Sequence, residues 1–146
     1  MSPSDGVGSR REARERALSL LYEVEVKDRP AGEVLDALPL EPVAFAVDLV
    51  RGVGRCRAEI DEVIRRYSRA WPLERMPVVD RTLLRMAVYE LGHRLDVPTG
   101  AILSEAVELA TRYSTDDSAR FVNGMLSRIS EELRPEAPRS APEPQG

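Results

Sequence analysis

Apolar residues recur along the chain every three or four positions and do not alternate, the spacing of helices that bury one stripe; no segment reads as a strand. From Arg10 to about Lys27 the stripe is Ala13, Ala17, Leu20, Leu21 and Val24, and Asp28-Arg29-Pro30 stops it. A short second helix is expected over roughly 31–38, closed by Pro39. A single long third helix is expected from about Pro42 to about Arg69, with Ala46, Leu49, Val50, Val53, Cys56, Ile60, Val63, Ile64 and Tyr67 inward. Gly52 and Gly54 lie inside it, each costing about 1 kcal/mol against alanine, so either a neighbouring helix comes close there or the helix bends. Trp71-Pro72 breaks the pattern. Pro77 opens a fourth helix to about Arg94 and Pro98 a fifth to about Tyr113, while the Thr115-Asp116-Asp117-Ser118 run offers N-caps for a sixth ending near Leu133. The expectation is a compact all-α protein of about six to seven helices, arranged as two three-helix groups joined near residues 71–76. Residues 1–9 form a small polar lead and 10–133 the folded domain; 134–146, with four prolines in thirteen residues, read as an unstructured tail.

Some residues fall off these stripes. On the first helix Arg11, Leu18 and Tyr22 share one flank, with Arg14 between them and the core edge. Guanidinium groups fit phosphate and a ring can stack a base, so this flank is either a nucleic-acid surface or a solvated face neutralised by Glu12 and Glu15. On the sixth helix Phe121 lies about 80° from the stripe formed by Val122, Met125, Leu126, Ile129 and Leu133, beside Gly124 and Arg128 and next to Arg120. It either contacts a base or partner, or packs under a loop or the second helical group. On the fourth helix Asp80 and Glu90 sit on or near the inward stripe: Asp80 is expected to meet free N–H groups of the first turn, and Glu90 to pair with Arg94 in solvent. Arg85 and Tyr89 are assigned to the outward face.

Composition narrows the chemistry. Of 146 residues 32% are charged and the formal net charge is −4, which excludes a uniformly basic nucleic-acid coat but not a local phosphate-binding patch. Lys27 is the only lysine beside twenty arginines. With one cysteine, Cys56, and one histidine, His93, no internal disulfide can form, and the several thiolate or imidazole ligands of a zinc fold are missing, so no metal site and no cofactor are expected. Cys56 reads as a small hydrophobe. His93 with Asp96 lacks an associated nucleophile, and there is no GxxxxGK[ST], GxGxxG or HExxH motif, so no enzymatic activity is expected. No spanning segment and no signal sequence is read, which makes a cytoplasmic protein without membrane attachment the expectation.

The segments RREARERALSLLYE (10–23), VVDRTLLRMAVYEL (78–91) and DVPTGAILSEAVELATRYSTDDSARFVNGML (96–126) resemble the NusB family of bacterial transcription antitermination factors, the run Asp117, Ser118, Arg120, Phe121, Val122, Asn123 and Gly124 being the most specific. The resemblance implies two three-helix groups, binding of the boxA element of ribosomal RNA leader transcripts, heterodimer formation with the small-subunit ribosomal protein NusE, and a place in an RNA polymerase antitermination complex. It also implies that Arg10, Arg11, Arg14, Tyr22, Asp80, Asp117, Arg120 and Phe121 lie at or near the RNA-binding surface. One departure is Ser104 before Glu105-Ala106, where the family usually has Asn. The competing reading is a helical interaction scaffold or homodimer whose Phe121 face serves assembly without RNA.

Overall fold

In a computed structural model, which describes residues 7–135, the chain forms seven α-helices and no strand among those residues. They are α1 (Val7–Lys27), α2 (Ala31–Asp36), α3 (Ala44–Arg55), α4 (Arg57–Tyr67), α5 (Val78–His93), α6 (Thr99–Tyr113) and α7 (Asp116–Leu133), with a 3₁₀ turn at Leu73–Arg75 between α4 and α5. Of the lead expected over 1–9, residues 7–9 already belong to α1; residues 1–6 and 136–146 lie outside the described residues. No helix of the described chain is long and apolar enough to cross a membrane.

Helix α1 ends where Asp28 takes φ 53°, so that Arg29 N–H donates to the Val24 carbonyl at 3.1 Å, and Pro30 then prevents continuation. Helix α7 starts at Thr115, whose hydroxyl accepts from Ser118 N–H at 2.9 Å. Helices α1, α2 and α3 pack on one another, α5, α6 and α7 form the second group, and α4 bridges to α5 and α7. At the centre lies α5, buried without interruption from Thr82 to Leu91. Leu49, Ile64, Leu84, Leu91, Leu109, Met125 and Ile129 fill the shared core around it.

The expected third helix is two. The chain leaves helical geometry at Cys56 (φ −103°, ψ 15°), which separates α3 from α4 although Cys56 N–H still donates to Gly52 O and Ile60 N–H to Cys56 O, both at 2.9 Å. Both readings of the glycines apply. A Cβ at Gly52 would overlap the ring of Tyr89, one at Gly54 would lie 3.1 Å from the Ala31 methyl, and the helix also bends just beyond them. No proline or loop residue marks the break, so apolar periodicity runs through it.

Several charged residues assigned to the surface are interior. Arg85 and Tyr89 are buried: Arg85 holds Asp61 through two hydrogen bonds (2.8 and 3.1 Å), and the Tyr89 hydroxyl donates to Asp48 at 2.8 Å. Glu90 pairs not with Arg94 but with Arg14. Arg94 instead spans Asp48 and Asp96. Burial alone would push the Glu25 carboxyl up, but a hydrogen bond from Arg81 and the charges of Arg57 and Arg85 outweigh it and hold it below the ordinary range. This knot ties α1 to α4 and α5. Arg134, at the head of the expected tail, turns back and donates to the carbonyls of Glu90, Leu91, Arg94 and Val97 and to the Thr99 hydroxyl, closing the C-terminal end of α5.

Candidate nucleic-acid interface

Two of the eight candidate residues are structural. Arg14 is only 5% exposed and meets Glu90 in a two-pronged pair, both contacts 2.8 Å. Its guanidinium is paired inside the molecule and offers no free group to a phosphate; the helical angle places Arg14 between the Arg11 flank and the core edge and says nothing of a buried acid opposite. Asp80 is fully buried and accepts from the hydroxyls of Ser114 (2.8 Å) and Ser118 (2.6 Å) rather than from N–H groups of its own helix. It fastens the α6–α7 turn to the start of α5 and presents nothing outward.

The other α1 residues are accessible to different degrees. Arg10 stacks on the Phe45 ring, 4.2 Å from its centroid, and approaches Asp96 at 3.8 Å. The side chain of Arg11 remains 41% exposed while its guanidinium grips Glu105 of α6 with two bonds of 3.0 and 2.9 Å. Hydrogen bonding and attraction to Glu105 raise the Arg11 pKa, and the same hydrogen bond lowers that of Glu105 against the effect of burial. One turn on, Glu15 accepts from Arg112 and from the Tyr113 hydroxyl, so a seam of polar contacts joins α1 to α6. Tyr22 is exposed on the same face of α1.

That seam leads to the α6–α7 turn. Asp117 and Arg120 project into solvent from the first turn of α7 and pair with each other. Phe121 is half-buried, as its angle suggested, and the structure supplies the reason: Trp71, in the connection after α4, meets it edge to face with centroids 4.8 Å apart and planes at 65°. Beyond the ring, Gly124 leaves the helix backbone low and Arg128 lies across it, its Nη1 3.9 Å from where a Cβ would be. Arg69, Arg75 and Arg128 are exposed and pair with no acid among the described residues. Trp71 was read only as a helix breaker and is the main residue the sequence reading missed; an isolated tryptophan between helices was the available signal. Among the described residues no hydrogen bond, ion pair or ring contact joins the α1 arginines to Phe121 directly; α6 and its turn connect them.

This layout places one ring of an aromatic pair on the same helix as the unpaired Arg128 guanidinium, and a half-exposed polar seam along α1. Rings of that kind can stack or wall unstacked bases, while arginines fix phosphates. The model of the NusB family matches residues 11–131. The chain belongs to the NusB family. Two curated relatives, each a transcription antitermination protein NusB, support the assignment. The one from Salinispora arenicola is 46% identical over 130 residues, covering 84% of this chain and 96% of the relative. The one from Kineococcus radiotolerans is 47% identical over 129 residues, covering 86% and 95%. Among solved structures, T. maritima NusB superposes with a TM-score of 0.76 at 34% identity, covering 90% of this chain and 94% of that one. A chain in the crystal structure of a plectonemic RNA supercoil superposes with a TM-score of 0.72 at 29% identity, covering 84% and 94%. The NusB-family fold therefore accounts for nearly all the described residues, including both faces just described.

Proposed function

We propose that this NusB-family chain is a non-enzymatic antitermination factor of the cytoplasm. It binds boxA RNA of ribosomal leader transcripts together with the ribosomal protein NusE, and so promotes read-through by RNA polymerase. The observation that carries the reading is the Trp71–Phe121 pair flanked by Gly124, Arg120 and Arg128, set on the helix that holds the most family-specific run. In this reading Phe121 walls an unpaired base, Arg120 and Arg128 take phosphates, and Arg10, Arg11 and Tyr22 extend the contact along α1. Arg14 and Asp80 hold those elements in place from within. With a net charge of −4 and most arginines already paired, the chain alone offers a weak field, and NusE completes the surface.

Fluorescence anisotropy with boxA RNA and a scrambled RNA, with and without NusE, at two salt concentrations tests this. Tight, sequence-dependent binding that needs NusE is the expected result. Equal binding of both RNAs, or none under any condition, would remove the RNA reading, and a dimer persisting on dilution in light scattering would then favour the assembly role.

A further inference from the structure

The break between α3 and α4 has a chemical side. Cys56, the residue at which the helix turns, is a free, partly buried thiol. Glu59 follows one turn later on α4. His93, the last residue of α5, stacks on Tyr89 with centroids 5.0 Å apart and planes within 16°. Tyr89 itself lies against Gly52, so Cys56 and His93 each stand four residues beyond this contact between α3 and α5. One ligand atom from each of Cys56, Glu59 and His93 lies within 4.8 Å of the other two. Among the described residues none of these three side chains makes a hydrogen bond or an ion pair, in a protein where most acids are paired.

We propose that Cys56, Glu59 and His93 form a binding site for a divalent transition-metal ion of the zinc class. The donor set of one thiolate, one imidazole and one carboxylate suits Zn²⁺ or Co²⁺ and not the oxygen-seeking Ca²⁺ or Mg²⁺. Metal–ligand bonds of about 2.0–2.3 Å in a tetrahedron put ligand atoms roughly 3.5 Å apart, so the cluster closes by about 1 Å through rotation of the exposed Glu59 and His93 side chains. Three protein ligands leave the fourth position to water. The count of one cysteine and one histidine excludes a site made of those residues alone; it overlooks a carboxylate brought beside them by the bend. A bound ion would tie the α3–α4 bend to the end of α5.

Titration of the full-length, reduced protein with Co²⁺ tests the proposal. The expected result is a saturating 1:1 spectrum with a thiolate-to-cobalt charge-transfer band and the visible bands of a tetrahedral ion, displaced by Zn²⁺. Cys56→Ser removes the charge-transfer band, and Glu59→Gln and His93→Gln each weaken binding by at least about 10-fold. Glu59 and His93 are exposed, so those two variants keep the fold, as circular dichroism would verify. A non-saturating response overturns the proposal. So does a charge-transfer band that survives in Cys56→Ser, or binding indifferent to both Glu59 and His93.

Discussion

Under the proposed RNA-binding reading, the Arg14–Glu90 pair provides the sharpest test of which arginines would meet phosphate. Its side chains are 6% and 2% exposed, and it joins α1 to the central helix. Removing one member strands the other charge in the interior, which costs about 3–5 kcal/mol, whereas replacing both by apolar residues of similar size is close to neutral. For a domain of about 130 residues the unfolding entropy near the midpoint is roughly 0.27 kcal/mol/K, so Arg14→Ala or Glu90→Ala should each lower Tm by roughly 10–20 °C. Arg14→Met combined with Glu90→Leu should recover most of that loss. Scanning calorimetry measures the stability arm. The functional arm is boxA binding with NusE: the double variant should keep both affinity and salt dependence, because no phosphate contact has been lost. A single variant with an unchanged Tm would refute the structural role. A stable double variant whose salt slope falls by about 1 would show that Arg14 touches phosphate after all.

Other outcomes follow from the same contacts. Arg128→Ala should weaken boxA binding and reduce the salt slope by about 1, while Phe121→Ala should weaken it with little change of slope; identical slopes in the two variants would argue against the division of labour. Gly52→Ala should destabilise by about 1–3 kcal/mol in urea melts because its methyl overlaps the Tyr89 ring, and the cost should shrink in a Tyr89→Ala background; strict additivity would show that the two do not meet. Arg134→Ala should lose at least about 2 kcal/mol in the same melts, and Arg134→Lys should not restore it, since an ammonium group cannot span five acceptors; full recovery with lysine would contradict the capping role. The hydrogen bond from Arg94 draws the Asp96 pKa down from 3.8 to about 2. A folded-state value below the unfolded one gives stability that is present above pH 3.8 and disappears as pH falls through about 2, so Asp96→Asn should flatten that part of the stability–pH curve, and an unchanged curve would dismiss the pairing.

Apolar stripes made the number and order of helices legible, because periodicity near 3.6 survives any tertiary arrangement. What it hides is where a regular stripe changes direction: Cys56 lies in phase with both Val53 and Ile60, and only backbone angles separate α3 from α4. Buried charge was partly visible. Glu90 and Asp80 lie on the inward stripe of their helix, but their partners, Arg14 on α1 and Ser114 and Ser118 around the α6–α7 turn, are far away in the chain and cannot be found by spacing. For the same reason spacing leaves Arg14 between the Arg11 flank and the core edge, with no partner to name. Phe121 is legible as lying off the core stripe, next to Arg120, whereas the companionship of Trp71 with Phe121 requires the fold.

Because the cap on the middle helix comes from residue 134, it can form only after α7 has been made. While a ribosome is still decoding α7, four carbonyl oxygens and a threonine hydroxyl around the end of α5 await a guanidinium that has not been made. A chain truncated just short of Arg134 would carry every helix and still lack its closing clasp, so limited proteolysis should cut it faster than the full chain.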